Sequence, residues 1–502
     1  MKKTTLVGVF VLAASMNWLL PRGSVAVSAP VAQTPAQTSA SSVEERITRI
    51  EHGLLPPVLV KGEPLPSLNL VDRMSFYQVP GVSIAVIDQG RIAWARGYGF
   101  ADVAAKRPVT PETRFQAASI SKPVTAAAAL HFVEEGKIEL DRNVNDYLKS
   151  WKVPENDFTR EQKVTLRRIL SHSAGLTVHG FPGYEPGKPV PTLVQVLSGE
   201  KPANTEPIRV DIVPGTKWRY AGGGYVVMQQ MLLDVLGEPF PETMQRTVLN
   251  KFEMKGSAYS QPLQNDWKPF AATGYRPDGK PVEGDYHTYP ELAAAGLWTT
   301  PSDLARFAIG IENALAGKSH DVISKGMAEQ MLTRQIENDG LGVFLDGQGS
   351  TLRFSHGGAN EGFQCQLVAY TQTGQGAAIM TNSDRGGELI SEIMFAIAHE
   401  YGWHDYGPKE HKEIKVDPKV FDGYVGQYQL APNFILTITC EGDALFAQAT
   451  GQPKFQIFPE SEREFFLKVV DAQITFETDS SGRATSLTLH QNGADMPAKR
   501  VQ

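Results

Sequence analysis

The sequence predicts a mixed α/β body, one sheet carrying a helical insertion, followed by a small all-β module. Three observations lead there. Strand-like runs at both ends of a long central segment flank a stretch of helical periodicity, a single helix closes that segment, and beyond Pro408 the pattern turns into short alternating runs. In chain order, an amphipathic helix is expected near Val43 to Leu54, before a Pro-rich turn. Gly81-Val-Ser-Ile-Ala-Val-Ile-Asp88, the turn Gln89-Gly90 and Arg91-Ile-Ala-Trp-Ala-Arg96 then read as a hairpin. From about Lys122 to Leu236 helical periods follow, for example near Ala126 to Glu135 and Tyr225 to Leu236, separated by a Gly/Pro loop from His179 to Pro191. Strands return near Gln364 to Tyr370 and Gly376 to Thr381, and a helix is expected from about Glu388 to Tyr401. The C-terminal runs (near Phe434 to Cys440, Leu445 to Ala449, Lys454 to Phe458, Glu464 to Val469, Gln473 to Thr478 and Ser486 to His490) are broken by Glu441-Gly-Asp, Asp479-Ser-Ser-Gly and Asn492-Gly. Evenly spaced short strands of this kind make a small β-barrel or sandwich.

Length and composition narrow the function classes. The 502 residues leave room for about three domains. A net charge of −7 without a long Lys/Arg block sets nucleic-acid binding aside. The 46 glycines and 33 prolines mark a loop-rich globular chain. With only Cys365 and Cys440, neither a disulfide framework nor a Cys-rich zinc site can be built, and whether the two pair is open. At the N-terminus, Lys2 and Lys3 precede an apolar run from Leu6 to Ala14, and small residues follow at Ser24, Ala26, Ser28 and Ala29, the order of a secretory signal. Asn17, Pro21 and Arg22 interrupt the run short of spanning length. Residues 1–29 are therefore expected to be removed, with an Ala/Pro/Gln/Thr/Ser-rich linker and a helix over 30–65, giving a periplasmic or secreted protein with no stable membrane span.

The chemistry concentrates in three places. Ser119-Ile-Ser-Lys122 follows Thr113-Arg-Phe-Gln-Ala-Ala118 and precedes a helical run, so the Ser119 hydroxyl and the Lys122 amine, three residues apart, share a helix face. A desolvated lysine can accept the serine's proton. Ser198-Gly-Glu-Lys201 has the same spacing, but Gly199 and Pro202 break any common face. Tyr220-Ala-Gly222 opens the helix around Tyr225, and His356-Gly357-Gly358 follows the strand-like Thr351-Leu-Arg-Phe354.

This ordered set resembles the three motifs of the serine β-lactamase and penicillin-binding superfamily, in the branch of class C β-lactamases, DD-peptidases, D-aminopeptidases and related esterases. Gly97-Tyr-Gly-Phe-Ala-Asp102, Leu170-Ser-His-Ser-Ala-Gly-Leu176 and Gly296-Leu-Trp-Thr-Thr-Pro-Ser-Asp-Leu304 extend the likeness over residues 70 to 405 or so. The resemblance implies a β-lactamase/transpeptidase-like fold, an antiparallel sheet flanked by helices, over 66–408 with its helical insertion at 123–290 or thereabouts. It also implies a linker at 409–419 and a lipocalin-like β-barrel over 420–502.

By the same resemblance Ser119 is the acylated nucleophile, Lys122 its neighbouring base or field-provider, and Tyr220 the phenol that passes a proton to the leaving group and later activates water. The backbone N–H groups of Ser119 and Ala359 form the oxyanion hole, and Gly222, His356, Gly357 and Gly358 line the substrate site. Two positions depart from the family pattern. Gly222 stands where relatives carry Asn or Ser to hold an acyl-side amide, and His356 replaces a lysine, making positive charge there conditional on pH. Both favour an ester or a D-residue amide as substrate over a β-lactam, with β-lactamase or DD-carboxypeptidase action, or penicillin recognition with little turnover, as the alternatives. The substrate is a small molecule or peptide, with no metal and no cofactor implied; the oligomeric state is not legible.

Four other patterns have plainer readings. Ser171-His-Ser-Ala-Gly175 lacks the first glycine of a nucleophile elbow and reads as helix capping. His399 and His404 are one residue too far apart for a zincin pair. Gly97-Tyr-Gly99 lacks the third glycine of a dinucleotide loop, and Cys365 reads as a packed strand residue.

Overall fold

The structure, a computed structural model, describes residues 42–491 and 493–502. The expected export signal, the linker up to residue 41, and Asn492 of the expected C-terminal turn lie outside the described residues. Of the described residues, 69–406 form one compact unit, and 42–68 form a second with those from 407 onward.

The larger unit is built on a seven-stranded sheet in which every pair is antiparallel. From edge to edge its strands are Arg107–Pro108, Arg91–Asp102, Gly81–Asp88, Gly376–Thr381, Phe363–Tyr370, Arg353–Asn360 and Phe344–Asp346. Gly81–Asp88 and Gly376–Thr381 are central and buried almost throughout, hence their unbroken apolar sequence. The helix Pro301–Leu315 packs on these two strands, and Gly386–Tyr401 packs on Phe363–Tyr370 and Gly376–Thr381. Helices fill the chain between residues 118 and 315, among them Ser121–Glu134 and Gly222–Leu236. Ser121–Glu134 is apolar all round, and Val124 and Ala126 to Leu130 are fully buried. It is the unit's central pillar.

The second unit contains the helix Val43–His52, opened by a capping box between Ser42 and Glu45. Val58–Val60 pairs in parallel with Lys409–His411, so part of the expected linker is a strand, and this pairing joins the N-terminal segment to the C-terminal module. That module is a closed barrel of eight strands in sequence order from Gly426–Ala431 to Ala494–Arg500. Tyr428 opposite Arg500 and Gln429 opposite Lys499 close it. Alternate residues (Leu436 and Ile438, Ile474 and Phe476, Leu487 and Leu489) fill its interior, the period of two read from the sequence. Among the described residues, no helix is long and apolar enough to cross a membrane.

Candidate active site

Ser119 sits in the single turn Ala118–Ile120, immediately before the pillar helix. Ala118 has φ of +47°, a left-handed conformation that a non-glycine residue holds only when its surroundings impose it, at a cost of about 1–3 kcal/mol. Three bonds impose it here. Ser121 Oγ donates to Ala118 O at 2.6 Å and accepts from Leu297 N at 3.0 Å, while Ala117 N donates to Leu297 O at 2.8 Å. The phrase Gly296 to Leu304 thus clamps the turn that presents Ser119.

Lys122 Nζ lies 2.8 Å from Ser119 Oγ and donates to Ala294 O at 3.0 Å. The side chain is 2% exposed, and desolvation lowers its pKa to about 7. Its amine faces the rings of Tyr220 at 4.9 Å and Tyr225 at 5.7 Å. Near neutral pH a large share of Lys122 is the free amine, able to take the Ser119 proton. Burial drives the Tyr220 phenol well above its usual range, only partly offset by its hydrogen bond with Ser119. Tyr220 is therefore a protonated phenol in the resting site, suited to relay a proton rather than to abstract one.

His356-Gly357-Gly358 belongs to the strand Arg353–Asn360. A Cβ at Gly358 would stand 2.3 Å from Ala117 O, so this glycine is required to bring the strand against the turn that carries Ser119. At Gly357 a Cβ would meet Gln366 Oε1 at 2.8 Å. Asn360 Nδ2 donates to Gln116 Oε1 at 2.8 Å and to Ala295 O at 3.1 Å, fixing the end of the strand. Ser119, Tyr220, His356, Gly357, Gly358 and Ala359 line one cleft of about 690 Å³. Beyond the pairing with Phe344–Asp346, which ends at Ser355, this strand is the free edge of the sheet.

Two sequence expectations need correction. His356 is not a pH-conditional cation near neutrality: burial, reinforced by Lys122, lowers its pKa to about 3, and Nδ1 donates to Gly357 O at 2.6 Å. Gly222 is not on the cleft wall, because the segment His179 to Phe181 lies over it. Gly222 N donates to His179 O at 3.0 Å, and a Cβ there would stand 2.9 Å from that oxygen and 3.0 Å from Phe181 Cε2.

Sequence reasoning missed two histidines. His172 packs 4.2 Å from the Tyr220 ring, centroid to centroid, and its Nδ1 accepts from Ala221 N at 3.2 Å. Burial, with Lys122 close by, holds it neutral. His179 lies 4.9 Å from the same ring, in hydrogen-bond contact with the Tyr220 main chain. The phrase Leu170 to Leu176 carried the signal, but its Ser171 read only as a cap. Ser171 does cap, its Oγ donating to Arg167 O at 2.9 Å, while the neighbouring residue supports the site. Cys365 and Cys440 are both free thiols. Among the described residues no cluster of three or more His, Cys, Asp or Glu side chains is arranged to hold a metal.

Residues 69–398 match the family model described as Beta-lactamase. The chain belongs to the beta-lactamase family. Within that superfamily of hydrolases it is similar to a penicillin-binding protein of Bacillus subtilis (strain 168), 24% identical over 85% of this chain and 96% of the relative. A beta-lactamase of Pseudomonas fluorescens is 28% identical over 47% of this chain and 60% of its own length. Among solved structures, the octameric penicillin-binding protein homologue from Pyrococcus abyssi aligns with a TM-score of 0.58 at 22% identity, covering 86% of this chain and 98% of that one. SurE with D-Leu aligns at 0.53 and 20%, covering 86% and 97%. These likenesses establish the beta-lactamase fold. Residues 410–500 match a domain of unknown function, DUF3471.

Proposed function

We propose that this beta-lactamase family member is an exported serine hydrolase that cleaves a small ester or a D-residue amide through an acyl-Ser119 intermediate. The carrying observation is the desolvated Lys122 amine 2.8 Å from Ser119 Oγ. Lys122 takes the hydroxyl proton as Ser119 Oγ attacks the carbonyl carbon, and the backbone N–H groups of Ser119 and Ala359 receive the oxyanion, each such donor contributing about 3 kcal/mol. The tetrahedral intermediate collapses with loss of the alcohol or amine, which takes a proton from the Tyr220 phenol as Lys122 returns one to Tyr220. Water then attacks the acyl carbonyl, giving its proton to the Tyr220 and Lys122 pair, and Ser119 leaves reprotonated. Every step is assigned to a residue of this chain.

The D-residue option draws support from the solved relative bound to D-Leu. Periplasmic or secreted placement rests on the N-terminal signal pattern, and the closed eight-stranded meander supports reading the C-terminal module as lipocalin-like. The test is Ser119→Ala. The variant should lose hydrolysis of nitrophenyl esters and labelling by a fluorophosphonate, and undiminished turnover would sink the proposal. Rapid nitrocefin turnover by the wild type would make it a β-lactamase instead, and one acyl equivalent without steady release would make it a penicillin-recognising binder.

A further inference from the structure

The walls of the cleft carry a consistent chemical character. Around Ser119 they are Phe181, Tyr220, Phe344 and the ring of His356. Tyr220 and Phe344 stack at 6.3 Å and 20°, and Phe344 meets His356 at 5.1 Å. Across the free strand edge, over the missing side chain of Gly357, the lining becomes Gln364, Gln366 and Ser391 beside Ile390 and Met394. Among the described residues, no Lys, Arg, Asp or Glu side chain lines any part of it.

The ionisable groups around Ser119 do not supply charge either; the Arg353 guanidinium, a cation close to the cleft, lies 5.2 Å over the ring of the lining residue Tyr406 and does not itself line the cleft. His356 and His172 are held neutral by burial, and desolvation raises buried Asp339, which acts on Tyr220, to about 8. His179 at the rim is lowered by desolvation and by Lys122. Lys122 is enclosed behind the Tyr220 and Tyr225 rings with its amine committed to Ser119 and Ala294 O, so it offers no ion pair to a substrate group. A carboxylate placed in this cleft would lose water and gain no charged partner on the lining, whereas an uncharged amide or ester loses less water on entering; the Gln364 and Gln366 amides, which donate to Asp384 O and Leu367 O, make that wall polar without charge.

We propose that the cleft selects substrates uncharged on both sides of the scissile bond, esters or amides whose neighbouring carboxylates are absent or masked, through its charge-free aromatic and amide walls. This rests on Ser119 being the nucleophile. A carboxylate that finds no charged hydrogen-bond partner should react more slowly by about tenfold or more.

The test compares two fluorophosphonates of equal length and intrinsic reactivity, one with an alkyl arm and one with a carboxylate-tipped arm, by the rate at which each modifies Ser119 in the full chain. The alkyl probe should react about tenfold faster or more. Equal or faster reaction of the carboxylate probe overturns this inference alone, since Ser119 would still be labelled. Failure of both probes would instead overturn the serine hydrolase reading on which it rests. Phe344→Arg places a cation on the half-buried wall and should narrow the ratio several-fold. An unchanged ratio in that variant, with Ser119 still labelled, would overturn the assignment to charge-free walls.

Discussion

Lys122 Nζ lies 2.8 Å from Ser119 Oγ at the buried end of the cleft, and desolvation lowers the amine to about 7. An amine removed from water prefers its neutral form, so the fold itself sets a largely unprotonated amine against the Ser119 hydroxyl.

The pH dependence follows from that base. In the proposed mechanism the active form is the unprotonated amine, so kcat/KM should rise with pH through about 7, roughly tenfold between pH 6 and pH 8. A pH profile with nitrophenyl acetate, corrected for spontaneous hydrolysis, checks this. A rate that falls over the same interval would contradict it.

Tyr220→Phe should keep the aromatic packing against His172 and Phe344 while removing the proton relay. The expected loss in kcat is about 10²–10⁴-fold with little change in thermal unfolding. Because burial raises the phenol, no alkaline limb from Tyr220 ionisation is expected below about pH 10.

Gly222→Asn tests the displaced motif position. Its Cβ would press on His179 O and Phe181 Cε2, so the His179 to Phe181 segment must shift, at about 1–3 kcal/mol. Calorimetry should show a lowered unfolding temperature, and unchanged stability would mean that the loop does not close over Gly222.

The buried carboxyl of Glu291 sets a stability trend. Desolvation raises it to about 8, so the folded state keeps a proton that the unfolded chain releases in the usual carboxyl range. Its contribution is full in mild acid and is lost as pH rises toward about 8, at a slope of up to about 1.4 kcal/mol per pH unit. Glu291→Gln should flatten denaturant-unfolding free energies measured between pH 5 and pH 8.

Much of this was legible in the sequence because periodicity and motif order are local properties. Gly81–Asp88, read from its β-branched run, and Gly376–Thr381, read from its apolar run, have the bounds expected from the sequence. The barrel's first and last strands, Gly426–Ala431 and Ala494–Arg500, do not stand out in the sequence pattern, because what defines them is their pairing with each other across the closure. In the site, Ser119 and Lys122 meet because three residues separate them on one helical turn, a spacing the sequence displays. The covering of Gly222 by His179, 43 positions away, and the neutrality of His356 depend on burial that no local pattern records. The glycine at 358 showed that close approach was needed, but only the structure shows that its partner is the Ala117 carbonyl.

Mass mapping of the adduct formed with a nitrophenyl ester trapped in acid tests the central claim most directly. The acyl group should be found on the peptide containing Ser119, and Ser119→Ala should show neither adduct nor turnover. An acyl group on another residue, or turnover that survives Ser119→Ala, would contradict it.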